Sequence, residues 1–192
     1  QSAAGRLTLA VVIGSVIYAL GSKTGLTDLL LLSPARVVGG LALWQPVTYA
    51  FIAPGAIQVI FCALVTYNIG SALEQSWGSR RLLWVALGYT IGAGILTVLL
   101  SFLLLGLRVQ VFGGATVMLT VLWVAFGWSW GKAQTGFWGI PMTGDVLALV
   151  GIGLVFLQGA FGSWLQILPE AIGILLVFVG VKLGHRLPNA NP

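Results

Sequence analysis

The segment Gly70-Ser71-Ala72-Leu73-Glu74-Gln75-Ser76-Trp77-Gly78-Ser79-Arg80-Arg81-Leu82 separates two long apolar runs. Gly78 can take backbone angles closed to other residues, so it suits a tight reversal. Glu74 stands just before that reversal, at the end of the first run. A carboxylate there can accept hydrogen bonds from the free N–H groups of a turn, or pair with Arg80 or Arg81. The segment therefore reads as the junction between two helices, with Gly70, Glu74, Gly78, Arg80 and Arg81 as its structural residues.

The runs on either side are too apolar for a soluble protein. Of 192 residues, 58% are hydrophobic and 7% charged, against about 25% charged in an ordinary soluble domain. This composition excludes a soluble enzyme, a disordered tail and a nucleic-acid-binding domain, and it places most of the chain in a lipid bilayer. A helix needs about 20 residues to cross the hydrocarbon core. On that criterion six spans are predicted, at 7–24, 56–73, 82–105, 112–130, 146–161 and 165–184, within a single membrane domain covering 1–192. Residues 1–24 are expected to be a first span rather than a removable leader, because the apolar stretch runs into Lys23 without a small-x-small cleavage pattern. The segment 25–55 is apolar but broken by Pro34, Gly39, Gly40, Pro46 and Pro54. It is predicted as a long interfacial loop with short helices, covered by other protein wherever it reaches membrane depth. The expected fold class is all-α and multi-pass.

The net charge of +5 is then a statement about topology. Arg6, Arg80, Arg81, Lys132, Lys182 and Arg186 fall on the side that holds both termini, and Lys23, Arg36 and Arg108 on the other. The excess predicts cytoplasmic termini, and the expected location is a bacterial cytoplasmic (inner) membrane. Trp44, Trp77, Trp84, Trp128, Trp130, Trp138 and Trp164 lie near span ends, as an interfacial belt requires, whereas Trp123 is mid-span. The pairs Gly88/Gly92, Gly127/Gly131 and Gly180/Gly184 are expected to serve close helix packing inside the bundle. Thr143-Gly144-Asp145 reads as a helix start. Cys62 is the single cysteine and His185 the single histidine. His185 is read as a headgroup-facing residue between Lys182 and Arg186, so neither a metal centre nor a cofactor is expected.

The junction resembles the second-to-third helix turn of the rhomboid superfamily, which reads G-x-x-x-E-x-x-x-G-[ST]. The resemblance continues in order along the chain: Trp44-x-x-x-Thr48-x-x-Phe51 is similar to the end of the family's first loop, Phe112-Gly113-Gly114-Ala115-Thr116 to the start of its fourth helix, and Glu170-Ala171-Ile172-Gly173 to the start of its sixth. It implies a six-helix rhomboid-like bundle.

The same resemblance places the protease chemistry, and this chain departs from it at each point. Thr116 occupies the nucleophile position of the G-x-S-G motif, and Glu170 that of the partner histidine in H-x-x-G. Gln58 and Cys62 replace the histidine and asparagine that help form the oxyanion hole, and Gln45 replaces the arginine after the loop tryptophan. A hydroxyl nucleophile needs an adjacent base. His185 lies about 22 Å of helix beyond Glu170 and cannot serve. Thr116 is instead expected to bond its own helix backbone, Glu170 to be a helix-start carboxylate near water, and Gln58 to bond across helices if buried. Inactive relatives such as the derlins bind transmembrane segments of other proteins. The resemblance thus implies a pseudoprotease whose partners are the bilayer and the transmembrane helices of other proteins, acting as an adaptor or as a subunit in a hetero-oligomer. An unorthodox protease using Thr116 is the alternative. A small-solute channel or transporter is disfavoured by the lack of paired intramembrane charges.

Overall fold

The computed structural model describes residues 2–21, 27–137 and 140–183. The chain folds as an all-α integral membrane protein. In order it forms α1 (Ala3–Gly21), α2 (Thr27–Leu30), α3 (Pro34–Gly40), α4 (Gln45–Thr48), a 3-10 turn (Tyr49–Phe51), α5 (Ala56–Trp77), α6 (Ser79–Leu83), a π turn (Trp84–Gly88) and α7 (Tyr89–Leu100). After a second 3-10 turn (Leu105–Val109) come α8 (Ala115–Trp130), strands β1 (Gln134–Phe137) and β2 (Ile140–Thr143), α9 (Gly144–Phe161) and α10 (Leu168–Leu183). Among the described residues, α1, α5, the continuous run Ser79–Leu100 and α9 are long and apolar enough to cross a membrane, whereas α8 and α10 are shorter.

The short helix α8 is the axis of the bundle. Its residues from Thr120 to Gly127 are buried on every side, the pattern of a helix surrounded by others rather than by lipid. Its 16 residues rise about 24 Å, less than the hydrocarbon thickness of about 30 Å. Neighbouring helices supply the remaining shelter: α5, α7, α9 and α10 all pack on α8, and α1 packs outside against α5.

Helix boundaries differ from the predicted spans where side chains or turns settle the ends. The first helix begins at Ala3 rather than at 7 because the Glu74 carboxylate accepts the Ala3 and Ala4 N–H groups, at 2.8 and 3.0 Å. Its end falls at Gly21, and 22–24 lie outside the described residues. The second span gains a further turn and stops at Gly78, whose φ of 81° ends it. The third stops at Leu100 rather than at 105. There Ser101 Oγ donates to the Val98 carbonyl at 2.6 Å, and the Arg108 guanidinium donates to the Ser101 carbonyl at 3.2 Å, so the last carbonyls find donors without further helix. The fourth starts at Ala115, because Phe112 is drawn into an extended pair with Leu32. The fifth starts at Gly144, with Thr143 Oγ1 accepting the Val146 N–H at 3.4 Å, the N-cap expected at that sequence. The sixth starts at Leu168, with Pro169 in its first turn, where a missing N–H costs nothing. The antiparallel pair β1–β2, with Gln134 opposite Thr143, was not foreseen.

The segment predicted as an interfacial loop is a built structure, and its backbone groups are accounted for. Gln45 is fully buried; its side-chain oxygen accepts the Ser33 N–H at 3.0 Å and its amide donates to the Asp28 carbonyl at 3.0 Å. Thr48 Oγ1 donates to the Leu30 carbonyl at 3.0 Å, and the Trp44 indole N–H to the Leu29 carbonyl at 3.0 Å. The Tyr49 and Ile52 carbonyls accept the Gly114 and Ala115 N–H groups at 2.8 and 3.2 Å, so the loop caps the start of α8. Ser15 ties α1 to the same loop by accepting the Ala53 N–H at 3.0 Å. Burial pushes the Tyr49 phenol pKa up, with Glu170 adding in the same sense; the phenol therefore stays a donor, and it donates to the Thr90 carbonyl.

The junction that decided the sequence reading is a three-way joint. Glu74 caps α1 and also accepts the Ser79 hydroxyl at 2.6 Å. Gly70, one turn earlier, lets α1 approach: a Cβ there would lie 3.1 Å from Ala4 Cβ. The donors are thus those of another helix, not of the turn, and neither arginine pairs with Glu74. Arg81 stacks 5.5 Å above the Trp77 ring, and Arg80 is exposed. Glu74→Ala is expected to lower stability by about 1–2 kcal/mol, the loss of a helix cap, read as the melting temperature in detergent. Arg80→Ala should be silent. An unchanged melting temperature for Glu74→Ala would show that the cap contributes nothing.

Candidate functional site

Thr116 is the second residue of α8 and Glu170 the third of α10, and the two helices start on the same side of the bundle as the loop. Gly173 lets the helices approach, since a Cβ there would lie 3.0 Å from Val121 Cγ2 and 3.3 Å from Val117 Cγ1. The pair meets: Thr116 Oγ1 lies 2.9 Å from Glu170 Oε1 and 3.3 Å from the Gly113 carbonyl. A hydroxyl has one proton, and the shorter contact gives it to Glu170. The expected bond to local backbone is therefore the minor contact, made to Gly113, two residues before the helix.

Glu170 is the larger correction. It was expected near water, and it is 5% exposed. Its second oxygen, Oε2, is buried without a hydrogen-bond partner. The carboxylate sits beneath the loop because α10 packs its first turn against α8 instead of projecting into the headgroups.

Both groups line a cleft of about 220 Å³ formed by α5, α8, α9 and α10. Gln58, Phe61 and Cys62 come from α5, Trp123 from α8, and Leu154 and Gln158 from α9. The degenerate oxyanion positions Gln58 and Cys62 thus do converge with Thr116 and Glu170. Gln58 does not bond across helices: it folds back over the start of its own helix, where a Cβ on Gly55 would lie 3.2 Å from its Oε1. Trp123, the mid-span exception, faces inward, and its indole N–H donates to the Leu147 carbonyl at 2.8 Å. Of the backbone donors at the start of α8, the Gly114 and Ala115 N–H groups are bonded to the loop. No group of three His, Cys, Asp or Glu side chains that could hold a metal occurs among the described residues.

Residues 6–181 match the family described as Eukaryotic integral membrane protein (DUF1751). The chain belongs to this family. The match spans every long helix described above, so the family assignment covers the cleft and the junction together. No curated protein matches the chain. A eukaryotic family gives no support to the bacterial cytoplasmic membrane expected from the sequence; the finding stands as an integral membrane protein. Lys23, Trp138, His185 and Arg186 lie outside the described residues, as does the side chain of Lys182.

The sequence reading missed Gln45 as a functional-looking residue in its own right. It registered only as a replaced arginine, yet its amide holds two loop strands together. A lone amide after a tryptophan carries no periodicity, so pattern alone could not have promoted it.

Proposed function

We propose that the protein is a rhomboid-like membrane protein without protease activity, with both termini cytoplasmic. In this reading it binds transmembrane helices of partner proteins as a subunit or assembly factor of a membrane complex. The observation that carries it is the cleft itself. Helices α5 and α9 both pack on α8 yet leave a gap between them, walled by apolar side chains and open toward lipid; Ile57 at one lip is 83% exposed and Leu154 at the other 47%. A helix lying along that gap would bury both lips by van der Waals packing, the main source of association in lipid. Against proteolysis stands the replacement of the histidine by a carboxylic side chain, a weak base for a hydroxyl.

The test is site-specific photo-crosslinking in native membranes from Ile57 and Leu154, with Leu9, which is 55% exposed on α1, as the lipid-facing reference. Crosslinks from the two lips should map to a transmembrane segment of a defined partner and should be lost when Phe61 is replaced by a bulkier tryptophan. Identical products from Leu9 would remove the cleft from the argument. Labelling of Thr116 by a hydroxyl-directed fluorophosphonate, lost in Thr116→Ala, would favour the protease alternative.

A further inference from the structure

We infer that the cleft selects partner helices carrying a lysine, whose ammonium pairs with Glu170 Oε2. The inference rests on the helix-binding reading above and adds what the cleft recognises. Among the described residues three buried side-chain oxygens lack partners: Thr66 Oγ1, Thr90 Oγ1 and Glu170 Oε2. The two hydroxyls sit in helices and can turn to their own backbone carbonyls. Once ionised, a carboxylate oxygen only accepts, so the ionised form of Glu170 depends on a donor brought to it. An acidic side chain at membrane depth generally pairs with another ionisable group or lines a pathway.

Among the described residues no side chain brings that donor. On the loop-bearing side, Arg36 is engaged with Asp28 at 2.7 Å. Arg108 donates to the Ser101 carbonyl and lies 5.7 Å above the Phe102 ring. The Arg36–Asp28 contact is the salt bridge found among the described residues, and it is half-exposed on the loop surface. None of the described cations complements Glu170, and the mouth of the cleft is open to a donor from a partner.

The cleft's shape narrows the class. About 220 Å³ receives one long side chain, not a helix. A helix would lie along the mouth and insert that chain between Ile57, Phe61 and Leu154. Four apolar methylenes would follow such walls and deliver the charge at the end. With Oε1 engaged by Thr116, a single oxygen remains. A compact ammonium fits one acceptor, whereas the guanidinium fork is matched to two. Thr116 opens α8, so the lysine belongs in the first two turns of the partner span on the loop-bearing side.

The experiment uses the full chain in phosphatidylcholine nanodiscs, with a photo-crosslinker at Leu154. Three synthetic Leu/Ala single-span helices are identical except at one position, two turns from the loop-side end, which holds lysine, Nε-acetyl-lysine or leucine. The lysine helix should crosslink at a concentration lower by about tenfold or more, and Glu170→Gln should bring it level with the leucine helix. The comparison of lysine with acetyl-lysine on the unaltered chain needs no variant to fold. Equal crosslinking of all three helices would overturn the lysine pairing while leaving helix binding intact. Crosslinking of none would overturn both readings.

Discussion

Tyr49→Ala should lower the stability of the fold by about 3–5 kcal/mol, the range for emptying a buried aromatic site. Tyr49 is fully buried, and its ring lies between two glycines. A Cβ on Gly94 would fall 2.7 Å from the ring's Cε1, and one on Gly114 2.5 Å from its Cε2. The ring therefore fills a slot between α7 and the start of α8 that no neighbouring side chain can refill. Its hydroxyl adds a second, separable contribution through the Thr90 carbonyl. Tyr49→Phe should cost only about 1–2 kcal/mol, the unmade bond alone. Thermal unfolding in detergent reads both. A Tyr49→Ala protein that melts with the wild type would mean that the loop is not part of the packed bundle.

Gly127→Leu should also destabilise the fold, by the opposite route, overfilling. A Cβ at Gly127 would stand 2.6 Å from Ala148 Cβ and 2.7 Å from both the Ala148 nitrogen and the Gly144 carbonyl oxygen. Two of those three atoms are backbone, so no rotamer change relieves them. Helices α8 and α9 would have to separate, and overpacking of this kind costs about 1–3 kcal/mol or more. Gly153→Leu, on the opposing helix α9, is the control, with nothing within 4 Å of its added carbon. It should leave the melting temperature unchanged. Equal effects of the two substitutions would show that helix contact at Gly127 is not specific.

How far the sequence carried can be judged from these residues. The apolar runs and the junction at Glu74–Gly78 were legible because length and turn chemistry are local properties. Thr116 and Glu170 could be placed together through the resemblance, although they are 54 positions apart. Their depth could not, because a helix-start carboxylate reads the same whether its helix begins in water or beneath a loop. The loop's own architecture was hidden for a related reason. Gln45, Tyr49 and Ser15 act by single long-range bonds, and a single bond leaves no period in the sequence. Gly127 was visible as one of a pair of small residues, but Gly88 and Gly92, equally visible, make no such close approach: a Cβ on them would meet ordinary contacts at 3.8 and 3.4 Å.

The cap on the first helix also orders events in time. Its donors are at Ala3 and Ala4, and its acceptor follows 70 or 71 positions later. A ribosome adding about 5–20 residues per second reaches Glu74 roughly 4–14 s after making that first turn. Throughout that interval the opening amides of α1 have no claim from Glu74, and the first turn is free to fray. Only as α5 nears completion does a carboxylate arrive to close the joint, so α1 is made well before it is secured.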